Sequence, residues 1–378
     1  MQRLTSPPRP GWEQTVEAQG LIYHHTDKGV YWDESICYQF TAREVDEIEA
    51  ATNELQARCL DAAQHVIDKD RFVEFGIPPA AVEAITWAWE NEPPAIYGRF
   101  DLIYNGRTPP KLLEYNADTP TGLIEASIAQ WYWKEDVRAG TDQFNSIHER
   151  LVKKWTELKG DLTGDILYFA ALADQQAEDL MTSTYLRDTA IEAGLTTNAL
   201  LVGDIGWDPD AHEFVDLEQR AIKSIFKLYP WEWMVWEEFG THAVDTYKRT
   251  QWIEPIWKML WSNKAILAVL WELFPNHPNL VPAYLGAPRD LKSYVKKPKM
   301  SREGANVSVV VNEKRVAETG GDYGEEGFVF QQFVEPANDS HPVIGSWVID
   351  GESAGMGIRE SADLVTDNLS RFVPHFFE

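Results

Sequence analysis

Cysteine is almost missing from this chain, with Cys37 and Cys59 the only two in 378 residues. Two thiols cannot staple a chain of that length, so the sequence reads as a protein of a reducing compartment, the cytoplasm by expectation. Long apolar runs are missing too. Nothing approaches the roughly 20 residues needed to cross a bilayer, and no membrane partner is expected. The opening MQRLTSPPRPGW has no apolar stretch of the length a secretory signal uses. Basic residues are outnumbered, 34 Lys and Arg against 60 Asp and Glu, for a formal charge of −26. Without a basic stripe to neutralise phosphates, nucleic acid is excluded as a partner. The same acidity can gather cationic substrates near a cleft, although it also serves plain solubility.

Linkers, repeats and low-complexity stretches are absent as well, so internal boundaries are weakly marked. What is present reads as an α+β chain with a small parallel element. Residues 41–69 carry a long helical period, opened by Thr41 and Glu44 as a capping box. Pro78 and Pro79 open a shorter helix through Trp89. Residues 99–116 form two extended runs around Asn105-Gly106, a hairpin signal. Residues 125–160 look helical. ILYFAALA (166–173), bounded by Gly164-Asp165 and Asp174, then a polar helix to about Ala193, then NALLVGDI (198–205), suggest a parallel strand–helix–strand unit. Residues 218–275 read as helical, interrupted at Pro230 and Pro255. From Leu280 short strands take over, in SYVKKP, NVSVVV, GFVFQQFV, VIGSWVI and AGMGIRE, as an antiparallel sheet would.

Three places carry chemistry. In the hairpin, alternation puts Arg99 and Asp101 on one face, and Glu114 and Asn116 on one face of the returning strand. Pairing would gather two carboxylates and an amide, hard oxygen ligands that suit magnesium, beside an arginine that suits anionic oxygens. A solvated strand face with ordinary ion pairs is the competing reading. ADTPTG (117–122) follows, where Thr119 and Thr121 are natural caps for a helix opening near Leu123. Next, Lys264 falls in the first turn of a helix capped by Ser262 or Asn263. A lysine there opposes the helix dipole and hints at an anion partner. Lys296-Lys297-Pro298 then runs into the polar loop Ser301–Asn306, whose Gly304 allows backbone to approach a phosphate. It is neither a P-loop nor a dinucleotide fingerprint, since both need a Gly-rich turn running into a helix. Last, Arg359 follows Ala354, Gly355 and Gly357, which leave room for a ligand beside the strand. The alternative is a surface arginine near a sheet edge.

Together, YGRFDLIYNG, KLLEYNADTPTGLIEA, FKLYPWEWM, WSNKAIL, YVKKP-KMSREGANV, GFVFQQF and GSWVIDGESAGMGIRES resemble the glutathionylspermidine synthase family, in its shorter members that carry only the synthetase part. The resemblance runs from the N-terminal region to the last residues, with the motifs in order. It implies an ATP-grasp fold, with antiparallel lobes clamping ATP and a small parallel α/β unit alongside. Approximate lobes would be 1–160, with metal and substrate; 161–215, the α/β unit; and 216–378, the nucleotide clamp. It implies that Lys264 and Lys297 bind nucleotide and that Phe328–Phe333 is the adenine hinge, with Gln331 or Gln332 contributing a side chain. Asp101, Glu114 and Asn116 match Mg2+ ligands, while Arg99 and Arg359 match arginines at the transferred phosphoryl group. Arg302, Thr119 and Thr121 match positions contacting the carboxylate end of a thiol peptide. No cysteine-dependent amidase stretch is present, so amidase chemistry is not expected. Arg302-Glu303-Gly304 departs from the bifunctional members, which leaves the acid open.

The implied reaction turns a carboxylate into an acyl phosphate with ATP, and an amine then attacks to give an amide. Glutathione, or a similar peptide acid, and spermidine, or a similar polyamine, are the expected substrates. The amine must lose a proton, and Glu178 or Asp179, at the start of the polar helix, is placed to take it. Closure of the 299–306 loop would exclude water. The same chemistry on another acid and amine, or an ATP-binding regulatory protein without turnover, are the alternatives.

Overall fold

The computed structural model describes residues 1–378 except 27–28, 174–177 and 368. Asp174, expected to close the apolar run at 166–173, therefore lies outside the described residues. The long helix spans Ala42–Asp68, with Thr41 Oγ1 accepting from Glu44 N–H and the Glu44 carboxylate accepting from Thr41 N–H. Its buried stripe includes Val45, Ile48, Leu55, Cys59, Ala63 and Val66, the spacing a 3.6-residue turn predicts. Both cysteines are buried and free. No helix among the described residues is long and apolar enough to cross a membrane.

Three sheets position the site. The first is antiparallel, in the order 371–373, 352–360, 343–349, 97–103, 111–116. Its last two strands are the expected hairpin, Tyr97–Ile103 and Lys111–Asn116. That sheet joins segments from two of the three lobes drawn along the sequence. The second sheet, also antiparallel, runs 283–285, 328–332, 294–298, 308–311, 314–318. The third is parallel, in the order 251–253, 224–228, 167–171, 197–201, with the Glu178–Glu192 helix crossing between its last two strands.

That third sheet corrects two readings. The parallel unit has four strands rather than two, and residues 218–275 are not helical throughout. Ser224–Leu228 is a strand with all five residues buried, and Gln251–Ile253 pairs beside it. A strand covered on both faces shows no alternation, so its apolar run looks the same as a buried helical turn. Residues 125–160 are likewise divided into Gln130–Val137 and Ile147–Leu158. The break between them is tied down by Gln143, which donates to the Gln130 and His375 carbonyls. Tryptophans 133 and 155 fill one core cluster together with Phe169 and Phe226 of the parallel sheet.

Candidate active site

The fourteen side chains given site roles from the sequence all line one cleft, partly open to solvent. The antiparallel hairpin supplies the floor. Asp101 pairs directly across from Glu114, and Arg99 across from Asn116, with a bulge after Asp101. Arg99 donates to both Asp101 carboxylate oxygens, from Nε at 2.7 Å and a terminal nitrogen at 3.1 Å. Its other terminal nitrogen reaches the Thr121 carbonyl at 2.6 Å. Asn116 Nδ2 lies 3.2 Å from Glu114 and 3.4 Å from Asp101. Gly345, opposite Asp101 on the neighbouring strand, leaves the space Arg99 uses, since a Cβ there would come within 2.8 Å of the Arg99 side chain.

Two lysines close on Glu114 from the other side. Lys264 Nζ is 3.1 Å from Glu114 Oε2 and donates to the Ser301 carbonyl at 2.7 Å. Lys297 Nζ donates to Gln331 Oε1 at 2.8 Å and to the Leu113 carbonyl at 3.0 Å. Burial alone would raise the Glu114 carboxyl, but the two ammonium groups hold it down to about 2. Burial pushes Lys297 down to about 8, against the pull of Glu114. Gln331 also donates to the Leu112 carbonyl at 2.8 Å, so the expected hinge strand is fastened to the hairpin, whereas Gln332 is exposed.

Arg302 of the loop and Arg359 of the 352–360 strand complete the charge. Arg302 donates to Thr119 Oγ1 at 2.6 Å and lies 5.6 Å over the Trp233 ring. Arg359 donates to the Asp367 carbonyl, sits 5.4 Å over Phe372, and keeps a buried Nε with no hydrogen-bond partner among the described residues. Its strand is inner, flanked by 343–349 and 371–373, so it is not a surface arginine at a sheet edge. Glu178 and Asp179 line the cleft from the first turn of the Glu178–Glu192 helix.

Four local expectations change. Lys264 lies just before the Ile266–Leu273 helix and not within its first turn, with its carbonyl accepting from Leu267 N–H. Ser262 holds the backbone N–H groups of Ala117 and Asp118 in place of capping that helix. Thr119 and Thr121 cap nothing, because residues 123–129 enter a π turn with no side-chain cap. The small residues before Arg359 are already covered: a Cβ at Gly355 would meet the Phe144 carbonyl at 2.9 Å, and one at Gly357 would meet Ala126 at 3.1 Å.

Magnesium fits the donor set. Two carboxylates face each other with an amide between them, and Asn116 needs only its amide turned over to offer oxygen. Among the described residues no group of three or more His, Cys, Asp or Glu is set to hold a metal.

The profile of the glutathionylspermidine synthase preATP-grasp family matches residues 3–378. The chain belongs to the glutathionylspermidine synthase family. A Haemophilus influenzae protein named only provisionally as an acid–amine ligase is 42% identical, with all of both chains covered. Trypanothione synthetase of Crithidia fasciculata is 28% identical over 82% of this chain and 51% of its own length. The bifunctional glutathionylspermidine synthetase/amidase of Escherichia coli is 25% identical over 89% of this chain and 58% of its own. The chain thus spans little more than half of each of these two relatives. Among solved structures, a glutathione synthetase-like effector from Globodera pallida superposes with a TM-score of 0.60 at 10% identity. It covers 99% of this chain and 98% of its own, which shows a shared fold.

Within this glutathionylspermidine synthase family member, several groups behind the cleft-lining residues escaped the sequence reading. Glu125 is buried, accepts from Tyr31 Oη at 2.8 Å, and is pushed up to about 7, first by burial and then by Glu178. Burial also raises Glu232, which faces Arg302. Both stand inside quoted motifs, GLIEA and YPWEW, but a glutamate's depth has no signature in a single sequence. Trp233 and Lys227 were hidden in the segment read as helix.

Proposed function

We propose that the chain is an ATP-dependent ligase that joins a peptide-like carboxylic acid to a polyamine, glutathione and spermidine being the substrates tested first. The two antiparallel sheets facing across the cleft support reading the fold as ATP-grasp. The observation that carries the proposal is the Asp101–Glu114 pair, set between Lys264 and Lys297 and faced by Arg99, Arg302 and Arg359 in one cleft. Negative charge grows on phosphoryl oxygens as the acid is activated, and fixed donors aimed there stabilise the transition state. Lys264 and Lys297 bind the nucleotide's phosphates, with Gln331 and Gln332 at the adenine end. Asp101, Glu114 and Asn116 would hold magnesium, which neutralises phosphate charge when bound. Arg99 and Arg359 meet the transferred phosphoryl group. Thr119, Thr121 and Arg302 meet the acid's carboxylate end. Glu178 or Asp179 takes the proton from the ammonium so that its nitrogen can attack. The −26 charge favours arrival of a cationic amine.

A screen of carboxylic acids crossed with polyamines, read by ADP release and product mass, tests this. Acid- and amine-dependent ADP release with the amide mass of glutathionylspermidine is the expected result. ADP release with another product mass would keep the ligase and change its substrates. No substrate-dependent ADP release would leave a nucleotide-binding protein without turnover.

A further inference from the structure

Asp118 is buried at the exit of the hairpin, between Ala117 and Thr119. Its carboxylate is shared by two donors, Lys227 Nζ at 2.7 Å and Trp231 N–H at 2.7 Å. Its own N–H donates to Ser262 Oγ at 2.9 Å, where Ala117 N–H joins it at 3.1 Å. Lys227, equally buried in the central strand of the parallel sheet, also donates to the Tyr229 carbonyl at 2.9 Å. The hairpin exit, the parallel sheet, the Trp231–Met234 turn and the segment before Lys264 therefore meet at one residue, the middle two at its carboxylate and the last at its backbone N–H.

A buried ion pair is weak evidence for stability, since losing water offsets much of the attraction. What such a pair fixes is relative position, and here the positions concern one loop. Arg302 is held by Thr119, the residue after Asp118, and by Trp233, two residues past the N–H that Asp118 accepts. Ser301 is held by Lys264, two residues past Ser262. These three grips on the Ser301–Arg302 end of the loop lie within two residues of Asp118 or of a group bonded to it, while the Gly304–Asn306 end is held by Thr319, Gly320 and Tyr323. Asp118 and Lys227 have no task in the proposed chemistry itself.

We infer that Asp118, neutralised by Lys227, is a positioning residue that couples closure of the 299–306 loop to binding of the acid substrate. The inference rests on the ligase reading above. When the three grips stay in register, the loop closes over the acid and water is kept out. When they shift, water cleaves the acyl phosphate back to acid and inorganic phosphate. ADP then accumulates without amide.

The test uses the full chain with glutathione, spermidine and ATP. Two variants remove the tethers gently: Ser262→Ala, and the double change Asp118→Asn with Lys227→Met, which leaves no buried charge unpaired. Both should raise KM for glutathione roughly 10-fold or more, the scale of a small misplacement at a reacting centre. Both should raise ADP formed per amide well above that of the wild type. ATP affinity by calorimetry should stay within about two-fold, because the lysines that bind phosphate are untouched. If Ser262→Ala keeps the wild-type KM for glutathione and the wild-type ADP-to-amide ratio, the inference is overturned. An equal loss of ATP and glutathione affinity also overturns it, since that marks general damage. A wild-type protein that forms no amide fails the ligase reading itself, a result distinct from variants that match an active wild type.

Discussion

On the hairpin side of the cleft every charged group is matched: Arg99 with Asp101, Glu114 with Lys264, Lys297 with Gln331 and a backbone carbonyl. On the loop side Arg302 holds a hydroxyl and an aromatic face, and Arg359 holds one carbonyl with a buried Nε left over. The first side is fixed by strand register, which a one-residue slip would undo entirely. The second is carried by a loop and by a strand that ends beside one. A site that must admit two substrates and then exclude water needs both kinds of wall. The matched side is preorganised for charge, and the other side keeps donor capacity for a ligand.

Removing charge from the matched side should do the most harm. Glu114→Gln is expected to lower turnover by about 10³-fold, the scale of losing a metal-borne charge in the transition state. It also strips Lys264 and Lys297 of their carboxylate, so the melting temperature should fall as well. Because Glu114 is held down to about 2, its contribution is present above the ordinary carboxylate range and fades as the pH drops toward that value. Acid titration of wild type and variant by circular dichroism should therefore converge at low pH. A fully active Glu114→Gln protein would move the metal elsewhere and dissolve the contrast between the walls.

The loop side should respond in rate rather than in binding. Arg359→Ala is expected to lower turnover by about 100-fold, as for one lost charge donor, while ATP affinity changes little. Arg359→Lys should not restore the rate, since a point charge cannot replace the planar fork. Single-turnover formation of the acyl phosphate, set beside equilibrium ATP binding, decides the matter. Equal losses in both would make Arg359 a binding group like the lysines, and the two walls would then differ only in backbone.

The legible parts of the sequence follow the same division. Period-2 alternation and the Asn105-Gly106 turn were enough to bring Arg99, Asp101, Glu114 and Asn116 to one face, because strand geometry is local. The Thr41–Glu44 box marked its helix to within a residue for the same reason. Non-local features escaped. Ser224–Leu228 is buried on both sides, so its pattern carries no period, and Lys227 lay inside a stretch read as helix. Ser262 and Asn263 looked like caps because any serine or asparagine before an apolar run does. Asn263 does hold the helix entry, its Oδ1 accepting from Ala265 N–H, but its amide also donates to the Phe75 carbonyl, and Ser262 Oγ accepts from Asp118 N–H, both far off in the chain. The glycines before Arg359 suggested open room that the 144–147 segment and Ala126 fill. The roles given to the cleft residues came from resemblance, and the structure adds their nearness.

The smallest expected effect tests the matched wall from inside. Lys297 has its ammonium pushed down to about 8 by burial, with Lys264 adding to the push and Glu114 opposing it. In the unfolded chain this lysine titrates near its ordinary, higher value, so between the two the unfolded state binds more protons. Its contribution to stability therefore rises with pH across that window, the same sign as at Glu114, whose contribution rises with pH across the acid range. Nucleotide binding should run the other way. Phosphate favours the charged ammonium, so ATP affinity is expected to fall several-fold between about pH 7 and pH 9 as free Lys297 loses its proton. Lys297→Ala should bind ATP more weakly at every pH and lose most of that slope, while Lys264→Ala weakens binding but keeps it. Calorimetry in magnesium buffer across that range reads both affinities directly. A wild-type affinity that is flat with pH would mean that the Lys297 charge is spent wholly on Glu114 and the Leu113 carbonyl. That side of the cleft would then be a closed ion pair, and the phosphates would fall to Lys264 and the arginines opposite.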